Sequence, residues 1–122
     1  MNAIRKVVVC EDDAVTQRYL QKVIALIPDT EVHLFSSVGT ALLAVESMKP
    51  ALVIMDHRLP GATGSDAVGR LRKTEWGKSV PVLVYTGADV REEALANGAS
   101  DFISKPASAP QLIDKISALL AN

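Results

Sequence analysis

Three apolar runs, Lys6 to Cys10, Ala51 to Met55 and Val80 to Tyr85, are what most limits how this chain can fold. Each is too short for a helix buried on every side, and each is rich in β-branched residues. Runs of this kind suit strands of a parallel sheet, which helices cover on both faces. Glu31 to Phe35 alternates instead, with Val32 and Leu34 on one side and His33 on the other, and Asp101 to Ser104 is short. Those two read as edge strands.

Helical spacing fills the intervals between the strands. Residues 14–27 carry Val15, Tyr19, Leu20, Val23, Ile24 and Ile27, and Pro28-Asp29 closes them. Ser36 or Ser37 can cap a second helix bearing Val38, Leu42, Val45 and Met48, which stops before Pro50. Ser65 can open a third, with Val68 and Leu71, that closes near Trp76-Gly77. Asp89 and Glu92 have capping-box spacing for a short fourth helix ended by Gly98. Ser108 and Gln111 share that spacing and begin a fifth, with Leu112, Ile113, Ile116, Leu119 and Leu120 on one side. No repeat, low-complexity tract or linker interrupts the alternation. A length of 122 residues with 48% hydrophobic side chains suits one domain, 1–122, with a real core. The expected architecture is α/β, a three-layer (βα)₅ fold around a five-stranded parallel sheet. The flavodoxin-like order 2-1-3-4-5 places the apolar runs inside and the other two strands at the edges. That order is matched to a known arrangement and not deduced.

Composition removes several functional classes. Thirteen basic against 14 acidic side chains leave a net charge of -1, which is no footprint for a general nucleic-acid binder. The lone Cys10 lies inside an apolar run, so it reads as a small buried hydrophobe and a disulfide framework is ruled out. No apolar stretch approaches the roughly 20 residues that span a bilayer, and the N-terminus lacks the pattern of a signal peptide. The expectation is a cytoplasmic domain with no membrane contact.

The chemistry gathers at strand ends. The first strand runs into Glu11-Asp12-Asp13, the third stops at Asp56, the fourth at Thr86 and the fifth at Lys105. Open parallel sheets bind ligands outside the carboxyl ends of their strands, at the point where strand order reverses. Clustered carboxylates repel one another and raise each other's pKa unless a cation intervenes. A hard divalent ion with oxygen ligands suits them, magnesium first and manganese as the alternative. With that ion and the Lys105 ammonium, three negative charges meet three positive ones. A carboxylate can attack phosphorus to form an aspartyl phosphate, and the Thr86 hydroxyl can donate to the product. Gly87 leaves room beside it.

These residues carry a family resemblance over essentially the whole chain. The acidic pair in VVVCEDD, the loop LVIMDHRLPGATG and the strand ends LVYTG and DFISKP resemble those of a response-regulator receiver domain, the phosphoacceptor of two-component signalling. Any one of these segments is weak; together, with 45 positions from Glu11 to Asp56 and 30 from Asp56 to Thr86, they are specific. The resemblance implies Asp56 as phosphoacceptor. It implies Glu11 and Asp12 as the metal-holding pair, with Asp12, Asp56 and the Arg58 backbone carbonyl as direct ligands. Thr86 would be the switch hydroxyl, Lys105 the phosphate-binding lysine before a Pro106 bond that can be cis, and Phe102 the aromatic switch. The implied donor is a sensor histidine kinase or a histidine phosphotransfer protein. The implied output is an altered protein-binding face for a downstream protein, with no direct nucleic-acid contact. Met1 and the close after the fifth helix mildly favour a stand-alone receiver over one excised from a longer protein.

Departures and competitors remain open at this level. Asp13 offers a second register, Asp12-Asp13, although the strand leads straight into Glu11. From Thr86 to Lys105 the chain covers 19 positions, about three fewer than typical receivers, or roughly one helical turn. The output surface is therefore less defined than the chemistry. Asp56 alone suits a turn before Pro-Gly, and Glu11-Asp12-Asp13 alone suits a solvated cap. His57 should point away from the cluster as a surface or packing residue, and His33 should be exposed. A degenerate receiver serving as a phosphorylation-independent interaction module is the main alternative. A haloacid-dehalogenase-type phosphatase needs an acid where Arg58 stands, and a dinucleotide-binding module needs a glycine-rich turn after the first strand.

Overall fold

Register alignment at the carboxyl ends of the strands is what builds the site. In the computed structural model, which describes residues 3–121, five parallel strands form one sheet. The expected bounds, 1 and 122, lie outside the described residues. The chain runs β1 (Arg5–Cys10), α1 (Ala14–Ile24), β2 (Thr30–Phe35), α2 (Val38–Met48) and β3 (Leu52–Met55). It continues through β4 (Arg58–Leu59), β5 (Ala62–Thr63), α3 (Gly64–Leu71), β6 (Val82–Thr86), α4 (Arg91–Ala96), β7 (Asp101–Ser104) and α5 (Ala109–Leu120). The sheet order is β2-β1-β3-β6-β7, which is the expected 2-1-3-4-5 once the small β4–β5 pair is set apart.

Strand alternation divides the core into two layers. Val8, Cys10, Val53, Met55, Val82 and Val84 face α2, α3 and α4, where Val45, Val68, Leu71 and Ala94 meet them. Val7, Val9, Leu52, Ile54, Leu83 and Tyr85 face α1 and α5, against Leu20, Ile24, Leu112 and Ile116. Both faces of the inner strands are therefore apolar, which is why the sequence shows continuous runs there. Among the described residues no helix is long and apolar enough to cross a membrane.

Several local expectations change. Helix α1 stops at Ile24, three residues early, and Ile27 is buried in the turn that follows. Thr63, not Ser65, caps α3: its side chain accepts from the Asp66 N–H, because the unexpected antiparallel pair β4–β5 delivers the chain into the helix at Gly64. Ser65 is buried, with no partner for its Oγ. Helix α3 ends at Leu71, so Trp76 anchors a loop and not a helix end; its indole N–H donates to the Pro50 carbonyl at 2.9 Å. The Asp89–Glu92 box does not form: α4 starts after Val90, which makes no side-chain cap, and Asp89 stays in the preceding turn. His33 is half-buried and pairs with Glu31 at 2.5 Å.

Arg72, just past α3, fastens two loops, the connection from α3 to β6 and the turn after α4. Its guanidinium donates to the carbonyls of Gly77 (2.8 Å), Val80 (2.6 Å) and Gly98 (2.8 and 3.0 Å). Gly98 has φ +109°, a conformation that favours glycine, and it ends the short α4 against Arg72. Replacing Arg72 by Met should cost about 3 kcal/mol, read by urea denaturation, because buried carbonyls lose their donors. Across β7 and α5, Lys115 pairs with Asp101 at 2.8 Å. Burial raises the Asp101 carboxyl, but the Lys115 ammonium and the Phe102 N–H outweigh it and hold it below the usual range. Its stabilisation is complete above the ordinary carboxylate pKa of about 3.9 and disappears as pH falls through the lower folded value. Lys115→Met should therefore lose up to about 1 kcal/mol at pH 7 and match the wild type at the acid end of a denaturation series.

Candidate phosphoacceptor and metal site

Strand pairing sets the acidic cluster. Cys10 pairs with Met55 across β1 and β3, and the Asp56 N–H donates to the Cys10 carbonyl at 3.0 Å. Glu11 and Asp56, one step beyond, therefore stand side by side. Thr86 pairs with Ser104, and the Lys105 N–H donates to the Thr86 carbonyl at 2.9 Å. Lys105 thus enters from the neighbouring strands, and its bond to Pro106 is cis.

Carboxylate oxygens of Glu11, Asp12 and Asp56 all lie within 4.8 Å of one another. Glu11 and Asp56 are buried, at 2% and 8% exposure, while Asp12 faces solvent. The Lys105 Nζ donates to Glu11 Oε1 at 2.5 Å and to Asp56 Oδ2 at 3.3 Å. The other oxygen of Asp56 accepts from the His57 N–H at 2.7 Å, and Glu11 Oε2 accepts from the Asp13 N–H at 3.1 Å. Three acidic oxygen donors, one open to solvent, fit a hard divalent ion that keeps part of its water.

Burial and mutual repulsion set the titration. Burial raises the Glu11 carboxyl, Lys105 and the Asp13 N–H oppose it, and the net shift is upward. Burial also disfavours ionised Asp56, but the Thr86 hydroxyl, the Lys105 ammonium and the His57 N–H together hold it below the usual range. Burial acts against charged Lys105 as well; Glu11 and Asp56 outweigh it and raise its pKa. At neutral pH the site contains an ionised Asp56 under a protonated lysine.

The side chain of Asp13 is engaged away from the cluster. Its carboxylate caps α1, accepting from the Thr16 N–H at 2.9 Å and the Thr16 hydroxyl at 2.8 Å, so the inward acid is Glu11. Arg58 opens β4 and lines a recess with Asp12 and His57. His57 is half-buried, with its Nδ1 unpartnered. Phe102 lies apart from the carboxylates, packed in the core layer under α4 at 5% exposure. Thr86 is buried, and its Oγ accepts from the Ala88 N–H at 3.3 Å.

Sequence reasoning passed over three supports. Gln17 donates its side-chain N–H to the Glu11 carbonyl at 2.6 Å. A Cβ on Gly64 would come within 2.2 Å of the Asp56 carbonyl, so only glycine lets α3 start there. Tyr85 packs beneath Lys105, with Nζ 5.5 Å from its ring centroid. A tyrosine closing an otherwise aliphatic run was the one available signal for the last.

Cys10 sits directly under this charge. Burial, then the charges of Glu11, Asp56 and Asp12, push its thiol up to about 12. Native protein at pH 8 should resist iodoacetamide over hours, whereas guanidinium-unfolded protein should alkylate fully by intact mass.

A family model for the response regulator receiver domain matches residues 7–117. The chain is 35% identical to protein-glutamate methylesterase/protein-glutamine glutaminase 3 of Rhodospirillum rubrum, over 83% of this chain and 28% of that protein. It is 31% identical to the transcriptional regulatory protein BasR of Escherichia coli, over 94% of this chain and 52% of that protein. It thus spans only a part of these relatives. Among solved structures, the receiver domain of the sensor histidine kinase PA1611 of Pseudomonas aeruginosa superposes with a TM-score of 0.89 at 24% identity. That match covers 98% of this chain and all of the other, whose active-site cleft coordinates a magnesium ion. With four of the five sheet strands leading into this cluster and residues 7–117 matched by the family model, the chain belongs to the response regulator receiver domains of two-component systems.

Proposed function

We propose that the chain, as one receiver domain over 1–122, accepts a phosphoryl group on Asp56 from a phosphohistidine of a sensor histidine kinase or histidine phosphotransfer protein. The observation that carries this reading is Lys105 Nζ lying 2.5 Å from Glu11 and 3.3 Å from Asp56, inside a carboxylate cluster 4.8 Å across. An Asp56 oxygen forms the new bond to phosphorus while the bond from phosphorus to the donor nitrogen breaks, and the imidazole leaves with that electron pair. Lys105 reaches the incoming equatorial oxygens, and the Thr86 hydroxyl donates to them. Glu11, Asp12, Asp56 and the Arg58 carbonyl would hold magnesium, or manganese in its place. The bound ion supplies charge neutralisation of the phosphoryl oxygens. Water later cleaves the acyl phosphate and restores Asp56.

Thr86 and Phe102 are the proposed switch. Phosphate attracts the Thr86 hydroxyl away from Ala88 and favours one packing of Phe102, because only differential contacts shift an equilibrium. The altered face binds a downstream protein in the cytoplasm, with neither nucleic acid nor membrane contacted directly. Helix α4, with six residues, makes that face smaller than usual. The intact set Asp12, Asp56, Thr86 and Lys105 disfavours a phosphorylation-independent module.

Intact-mass spectrometry after incubation with acetyl phosphate and Mg2+ should show one added phosphoryl group in the wild type. Asp56→Asn should show none, nor should the wild type in EDTA. Lys105→Met should slow incorporation about 100-fold. A wild type that also ignores a phosphohistidine donor while still binding Mg2+ would sink the proposal.

A further inference from the structure

We propose that Tyr85 is a positioning residue for Lys105, a role that rests on the reading of Asp56 as phosphoacceptor. The Lys105 side chain is long, flexible and only partly enclosed, with 22% of it exposed. Something must hold its ammonium over Asp56 when the ion pairs are exchanged for phosphate oxygens. Tyr85 is 4% exposed and lies on the α1–α5 side of the sheet, one residue before Thr86. The Lys105 Nζ is 5.5 Å from the centroid of its ring, so the ring supports the ammonium while the carboxylates of Glu11 and Asp56 hold it at 2.5 and 3.3 Å. Cation–π attraction of this kind is strongest where water is excluded.

The same tyrosine also fixes the backbone that carries Lys105. Its hydroxyl accepts from the Ala107 N–H at 3.3 Å, two residues beyond the lysine. From α1, the Tyr19 hydroxyl donates to the Ala107 carbonyl at 2.8 Å. Phenols from two different elements therefore hold Ala107 at both its donor and its acceptor. Upstream, the Lys105 N–H is bonded to the Thr86 carbonyl, next to Tyr85 itself. The lysine is gripped on both sides of its backbone and beneath its side chain. An aliphatic residue at this position would keep the core layer apolar but would supply neither the ring face nor the oxygen. Tyr85 therefore bears on phosphoryl binding more than on metal binding, since its ring and its hydroxyl meet Lys105 and Ala107.

Tyr85→Phe and Tyr85→Leu separate these parts. Rates of phosphorylation should be measured against acetyl phosphate concentration, beside affinities for beryllofluoride and for Mg2+ by calorimetry. Tyr85→Phe keeps the ring, and its phosphorylation should slow about threefold. Tyr85→Leu should weaken beryllofluoride binding and slow phosphorylation about tenfold, with Mg2+ affinity within about twofold of the wild type. Tyr85→Trp should recover the ring's share. Variants equal to the wild type, or variants that lose Mg2+ and beryllofluoride in equal proportion, would show a core residue only and overturn the inference. Should Tyr85→Leu fail to fold, the Phe and Trp variants decide by the same criteria. A wild type that takes no phosphoryl group from any donor overturns the Asp56 reading and this inference with it; a competent wild type beside unchanged variants overturns only the inference.

Discussion

Two buried carboxylates cannot remain ionised side by side without a cation, and that constraint organises this protein. Glu11 and Asp56 are held together by parallel strand pairing, and the Lys105 ammonium lies within reach of both. Removing either charge from water is costly, so the compensation has to come from fixed partners. Lys105, the His57 N–H and the Asp13 N–H supply it. Asp12, exposed at the rim, adds a third carboxylate that leaves the cluster short of positive charge. A cluster with that deficit suits a divalent ion and, beyond it, a phosphoryl group.

The packing behind the cluster serves its geometry. Strand residues alternate between two apolar layers, so a one-residue slip would exchange two closely packed sets of side chains and break the fit of both. Register is thereby strongly specified, and with it the positions of Asp56, Thr86 and Lys105 at the strand ends. Gly64 allows α3 to start against the Asp56 backbone, and Arg72 ties the short α4 to the end of α3.

What could be read from the sequence depended on how far each signal reached. The apolar runs and helical spacing are local and repeated, so the elements and the two edge strands could be read from them, while the strand order was matched to a known arrangement. Glu11, Asp12, Asp56, Thr86 and Lys105 could be singled out because each lies at a strand's carboxyl end or within two residues beyond it. Asp13 was ambiguous, since an acid before a helix can be a cap or a ligand; only its bonds to Thr16 decide. Ser65 and the Asp89–Glu92 pair had the right chemistry for caps, but the β4–β5 turn and the backbone at Val90 set where the helices begin. Tyr85 and Tyr19 were read as core residues because their hydroxyl partner, Ala107, is distant in sequence from both.

By itself, then, the sequence determined the layered α/β architecture and the chemical identity of the strand-end groups. Both arise from side-chain type and short-range periodicity, which no distant contact needs to supply. Tertiary structure decided which acid turns inward, how Lys105 divides itself between Glu11 and Asp56, and which side chains hold it there. Those outcomes depend on burial and on distances of a few ångströms between segments up to 94 residues apart, as between Lys105 and Glu11. Electrostatic energies at such sites change steeply with separation and with exclusion of water, and only the folded chain sets either.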